Sequence, residues 1–373
     1  MRIKGVMTAV LAIASICTTA ADCQIVYNQP GTSALKFNYS NWNLSPESGG
    51  EETISQMTLG LSGFFPIRDN FEARYQLMSG FNNLDYGGEE TDISGLGDLR
   101  LLFSHSFSKD RLLLSAGFNL PTGKKELDTG GERQIIEFLS MDFLSLPMRR
   151  YGEGFGFNLQ AGGAAVLGPF KCGAGVVYDY CGSFKPYDGV GDYDPGDVLS
   201  LTATAAAGSG RMAYTGDFGF SYFTTDALDA EDIYRQAPQF STRLTATLSG
   251  DRVAWSAGTR VILRGRNKRY SLADGAIDSQ LKKYGDEYDV FLRAAFPLHD
   301  SWNLGAMAGT RQILESEEEF GRSSLLNFAV DLGGNLTSRL GLDLGLMYYT
   351  GSADGGDIDI DGFQVSGGLR VSY

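Results

Sequence analysis

Histidine and cysteine are scarce: two His and four Cys in 373 residues. That leaves few ways to build a His-based catalytic dyad or a Cys/His metal centre. Proline is rare as well, at 10 residues, and no Pro-rich linker divides the chain. Beyond residue 21 no stretch holds the roughly 18 apolar residues of a membrane-spanning helix. The G-x-S-x-G, H-E-x-x-H and P-loop signatures are missing, so no catalytic residue, cofactor or metal site is expected. Positive charge is in deficit. The net charge is −14, and removing Arg2 and Lys4 makes it −16 (−14 − 2). Phosphate backbones repel such a chain, which excludes a nucleic-acid partner.

The N-terminus has Arg2 and Lys4, an apolar run from Val6 to Ile16 and then "TTAAD". This order predicts a secretory signal peptide over 1–21, cut after Ala20 or Ala21. Cys17 and Cys23 lack a lipid-attachment context. A short N-terminal periplasmic segment (22–33) and a single barrel domain (34–373) follow.

The mature chain alternates with period 2. "TLGLSGFF" puts Leu59, Leu61, Gly63 and Phe65 on one face, and "RLLLSAGFNL" does the same with Leu112, Leu114, Ala116, Phe118 and Leu120. Alternation of this kind makes strands with one apolar and one mixed face. Short turns such as "PIRDN" and "TSR" alternate with acidic, Gly-rich stretches: "SPESGGEE", "DYGGEETDISG", "DYDPGD", "ESEEEFG" and "SADGGDIDID". Phe64, Phe65, Tyr151, Tyr348 and Tyr349 sit at expected strand ends, as interfacial girdles require. The expectation is an all-β fold: a transmembrane, antiparallel, up-and-down barrel with short periplasmic turns and long acidic extracellular loops. A soluble sandwich would not show the short/long rhythm. About 16 strands fit the pattern, with 14 as the alternative. One of them is placed at 134–145, where "RQIIEFLSMDFLSL" reads as a strand or as a loop helix.

Residues 95–128, "GLGDLRLLFSHSFSKDRLLLSAGFNLPTGKKELD", carry a Gly-x-Gly-Asp strand start and a Pro-Thr-Gly strand end. Gly95 and Gly97 turn the chain from loop to strand, while Asp98 and Arg100 face the lumen. Pro121 ends a ladder because it has no N–H, and Thr122 and Gly123 begin a loop. This pair of motifs resembles the barrel family labelled "MetA-pathway of phenol degradation", grouped with transporters of fatty acids and aromatic hydrocarbons. The resemblance implies uptake of small hydrophobic or aromatic compounds across an outer membrane.

Parity along the strands turns Arg260, Arg264, Arg266 and Lys268 inward, with Arg243, Arg293 and Arg311 on neighbouring strands. Asp331, Asp343 and Arg370 share the inward set, as do Glu72, Arg74, Asp98 and Arg100. Two readings fit: a polarised channel lining, or a lumen packed with ion pairs. The first makes the protein an outer-membrane channel, the second a structural or surface-interaction barrel with a plugged lumen. An outer-membrane enzyme is the remote alternative, since His105 faces lipid and His299 lies in a short turn. The spacing of Asp354, Asp357, Asp359 and Asp361 does not match an EF-hand. The expected partners are therefore outer-membrane lipid and lipopolysaccharide, the barrel insertion machinery and a small solute. Cys172 and Cys181 are expected to form a disulfide in an oxidising periplasm. Phe363 to Tyr373 alternates to the last residue, so Tyr373 is expected to act as a C-terminal insertion signal.

Overall fold

A computed structural model describes residues 30–47, 49–108, 111–124, 126–272, 275–299, 301–314, 316–317 and 321–373. The expected signal peptide, residues 22–29 and Cys23 lie outside these. Sixteen antiparallel strands form one closed barrel. The first four are β1 (Thr32–Pro46), β2 (Glu52–Arg68), β3 (Phe71–Tyr86) and β4, which runs in two segments, Glu89–Leu96 and Leu99–Phe107. Next come β5 (Leu112–Leu120), β6 (Gly156–Leu167), β7 (Phe170–Cys181) and β8 (Val198–Ser209). They are followed by β9 (Met212–Phe223), β10 (Gln239–Ser249), β11 (Ala254–Arg264) and β12 (Asp286–His299). The last four are β13 (Trp302–Leu314), β14 (Ser323–Asn335), β15 (Leu340–Ala353) and β16 (Ile358–Ser372).

Each strand pairs with its sequence neighbours, and β16 pairs with β1 from Thr32↔Ser372 to Pro46↔Ile358. Closure gives every strand two partners, the condition for a sheet to cross hydrocarbon. Period 2 then sorts the side chains. Leu59, Leu61, Leu159, Phe218, Leu244, Trp255, Leu292, Phe328, Leu346 and Val365 point outward and stay exposed, which makes an apolar belt. Cross-strand partners on the other face, such as Ser104↔Ser115 and Thr202↔Gly175, point inward. His105 belongs to the outward set, between Phe71 and Phe107. At the short-turn rim the Tyr373 ring packs 5.6 Å from Phe65.

Four expectations need correction. Residues 134–145 are not a strand: Gly131–Leu139 is a helix, α1, followed by a 3-10 turn at Asp142–Leu144. Ile135, Ile136, Phe138 and Leu139 are buried together, a spacing that lines one helical face. The missing sixteenth strand is β7, inside "FKCGAGVVYDYC".

That strand also removes the expected disulfide. Cys172 and Cys181 lie on one extended segment, nine positions and about 30 Å apart, on opposite faces. A disulfide needs Cα atoms within about 7 Å, and both thiols are free.

Two of the acidic stretches are mainly strand, not loop. β1, β2, β3 and β16 are 15 to 17 residues long, and with the first segment of β4 they carry most of "DYGGEETDISG" and "SADGGDIDID" upward as wall, while "SPESGGEE" falls mainly between the end of β1 at Pro46 and the start of β2 at Glu52. About 9–11 residues suffice to cross a membrane, so this side of the barrel rises above it. Finally, Arg266 and Lys268 leave the ladder. β11 ends at Arg264, and Asn267–Tyr270 joins a separate five-stranded sheet above the barrel. There Arg266 pairs with Glu317 at 2.8 Å.

Candidate functional site: the lumen and its inserted loop

The described residues of 121–155, between β5 and β6, fold into the barrel mouth. Their apolar side chains Leu127, Ile135, Leu139, Phe143, Leu144 and Met148 meet Trp42, Leu44, Ile54, Leu84, Ile93, Leu325 and Ile360 from the wall. The hydrophobic core of the protein is thus inside the mouth, on the side of β1–β4 and β14–β16. Tyr151 and Tyr349 belong to it and are not girdle residues; the Tyr349 ring lies 4.6 Å from Trp42, tilted by 34°. Phe64 also faces inward, under the Arg74 guanidinium.

Polar groups fix the loop in place. Gln56 is fully buried and grips the Met148 backbone at both ends. Its Nε2 donates to the Met148 carbonyl at 2.7 Å, and the Met148 N–H donates to its Oε1 at 3.0 Å. Asn82 accepts from Gln56 at 2.7 Å and donates to the Tyr151 hydroxyl. That hydroxyl donates to the Ile93 carbonyl at 2.9 Å. Burial holds its pKa above the ordinary phenol value, so it remains a neutral donor. From the opposite wall Arg311 donates to the Phe143 carbonyl at 3.0 Å and to Ser145 at 2.6 Å.

The motif residues join the two feet of this loop. The Gly123 N–H donates to Asp98 Oδ1 at 2.9 Å, and the Glu153 N–H donates to Asp98 Oδ2 at 2.7 Å. Asn119 adds a third donor at 2.9 Å. Thr122 accepts from the Leu99 N–H at 2.9 Å, across the break in β4 between Leu96 and Leu99. A Cβ on Gly123 would lie 2.0 Å from the Tyr151 carbonyl oxygen, so only glycine lets the two feet meet. Gly97 bonds the Met78 carbonyl at the same break, at 2.7 Å, and Gly95 lies under the Tyr151 ring. Pro121 is where the chain leaves the wall, since β5 ends at Leu120.

The charged residues divide into two groups. Arg264, Arg311 and Arg260 surround Glu287, which is fully buried, at 3.3, 3.0 and 3.4 Å. Asp289 adds contacts to Arg260 and Arg311 at 3.5 and 3.8 Å. Arg293 pairs with Asp331 at 2.7 Å, and Arg100 with Glu153 at 3.3 Å. These are the packed ion pairs of the second reading. Arg243, Arg370 and Asp343 also point inward by register, and none of the three has an ion pair among the described residues.

The loop leaves open space beside it. One cavity of about 840 Å³ runs from Thr32 and Arg370 near the short-turn rim to Arg150, Glu153 and Phe184, past Arg74, Arg100, Asn158 and Asp179. A second, of about 730 Å³, follows β6–β11 and is lined by Gly162, Gly175, Thr202, Thr204, Gly219 and Ser241, with Arg243 and Arg260 at its edge. Both are lined by Gln160, where they adjoin. The lumen is therefore lopsided, filled by apolar packing on one side and open on the other, where charged and polar side chains alternate with small apolar ones. Parity predicted the inward arginines. The inserted loop was not legible, because its anchors Gln56, Asn82 and Trp42 look like ordinary inward strand residues.

No family model matches the chain, and no curated protein does. The likeness to the phenol-degradation family thus stays with the motifs of residues 95–128. Among solved structures the chain is similar to the outer membrane protein OprD from Pseudomonas aeruginosa. The identity is 11%, over 96% of this chain and 97% of that one, with a TM-score of 0.47. It is similar to the CymD monoaromatic hydrocarbon channel at 12% identity, over 93% and 89% of the two chains, with a TM-score of 0.43. A Pseudomonas aeruginosa FadL homologue gives 10% identity, 92% and 90% coverage and a TM-score of 0.43. At these identities the likeness is one of architecture.

Proposed function

We propose that the protein is a channel of a bacterial outer membrane that passes small water-soluble solutes along the open side of its lumen. In this reading the short turns are periplasmic and the tall strands and long loops extracellular. The observation that carries it is the pair of adjoining cavities beside the inserted loop: the first carries many charged and amide side chains, and the second is walled mainly by small residues with Gln160, Asp217, Arg243 and Arg260 among them. The motif resemblance implies a hydrophobic or aromatic cargo. Arg74, Arg100, Asn158, Gln160 and Asp179 along the passage favour a polar or amphipathic one instead.

The test is reconstitution in planar bilayers, with swelling of liposomes in sugars and amino acids of rising size. Stable current steps and a size cut-off are expected. Silence from a correctly folded barrel would overturn the channel. It would favour the second reading, a structural barrel, which the apolar packing of α1 and its neighbours in the mouth supports.

A further inference from the structure

Arg243 and Arg260 are direct partners across β10 and β11, and both face the lumen. Like charges placed opposite one another on one face of a sheet repel. Protein groups answer this repulsion only in part. The carboxylates of Glu287 and Asp289 touch Arg260 at 3.4 and 3.5 Å but also serve Arg264 and Arg311. Three guanidinium groups thus share two carboxylates. Asp217 is the cross-strand partner of Arg243 on its other side, yet Arg243 has no ion pair among the described residues. Arg264 and Arg311 are nearly buried and held by backbone carbonyls. The Arg260 side chain is 38% exposed, and both it and Arg243 line the 730 Å³ cavity. The rest of the cavity wall, on β6–β10, is mostly glycine, alanine, valine, serine and threonine, with Asp217 beside Arg243, and it leaves room for a ligand with hydroxyls to complete its shell.

We propose that Arg243 and Arg260 form a docking station for a small oxyanion, a carboxylate or a phosphate, in the open half of the lumen. A guanidinium offers a planar pair of donors that matches two oxygens of either group. Two of them on adjacent strands, facing one partly enclosed cavity, can hold an anion between them. This deepens the channel reading and rests on it.

The experiment uses the full chain in planar bilayers under a potassium chloride gradient, with acetate and inorganic phosphate added in separate arms. The wild type is expected to favour anions and to lose chloride current when either oxyanion is added. Arg243→Gln and Arg260→Gln should lower the anion/cation permeability ratio several-fold and weaken that block, with unitary conductance retained. Arg211→Gln, at the short-turn rim and paired with Asp251, serves as control and should change neither. An unchanged reversal potential and unchanged block in Arg243→Gln would overturn the station while leaving the channel standing. A silent wild type would instead overturn the channel. The station is then read by the line widths of phosphate and acetate resonances with the detergent-solubilised barrel. Broadening by the wild type that Arg243→Gln abolishes supports it, and equal broadening by both overturns it. Native folding of each variant is checked by heat-modifiable gel migration.

Discussion

Gln56 on β2 and Met148 in the inserted loop, 92 positions apart in the chain, bond each other through both polar edges of one side-chain amide. A side chain here behaves as a one-residue strand, and it satisfies backbone groups that the barrel mouth shields from water.

Gln56→Ala is expected to release this point of the loop. It leaves a buried N–H and a buried C=O unpaired, each costing about 1–3 kcal/mol. The loop should become cleavable by protease within 121–155, and the mean current per channel should rise. A resistant loop and an unchanged current would show that the apolar packing alone holds it.

Asp98→Ala removes the acceptor shared by Gly123, Glu153 and Asn119. Hydrogen bonds to a charged group contribute about 1.5–3 kcal/mol each, less here because the site is partly solvated. A lower melting temperature and noisier current are expected. Gly123→Ala should act in the same direction for a different reason, the close approach of Tyr151. Thermal unfolding and bilayer traces of the two variants, compared side by side, test this.

Glu287→Gln should destabilise the wall. It leaves Arg260, Arg264 and Arg311 with one carboxylate, and removing a partner from a buried charge cluster costs about 3–5 kcal/mol. The gel transition from folded to unfolded migration should shift to lower temperature. Arg293→Gln removes a pair whose partners are both more than two-fifths exposed, so its effect should be small.

Cys172 and Cys181 should remain unlinked under oxidising conditions. Cys181 lines the 840 Å³ cavity, while Cys172 lies on the outward, lipid-facing set. A water-soluble thiol reagent should label Cys181 first, and a membrane-partitioning one Cys172. Mass mapping of non-reduced peptides reads both results. A Cys172–Cys181 cross-link would contradict the strand assignment.

Much of the wall was legible because one physical variable, the medium on each face, dictates every second residue. Trp255, Val261 and Leu263 against Arg260 and Arg264 needed nothing more than parity. The strand count came out at sixteen through two offsetting errors. Residues 134–145 contain enough apolar residues to pass as a strand, and only their spacing betrays a helix. β7 was overlooked because Gly173, Gly175 and Val177 on its inward face offer no polar contrast to the outward face. The station at Arg243 and Arg260 was half visible. Parity placed both arginines in the lumen, but which arginines were already neutralised depended on distances that no sequence pattern carries.

The apolar partners of the inserted loop come from both ends of the chain: Trp42 and Leu44 on the first strand, Ile360 on the last, and Tyr349 and Ala353 beside it. The loop therefore lies across the seam where the cylinder zips shut. An unzipped sheet offers only separate halves of that surface, so the loop gains its complete set of neighbours when the first and last strands meet. Prising the seam open would separate the two halves of the surface on which the loop is seated.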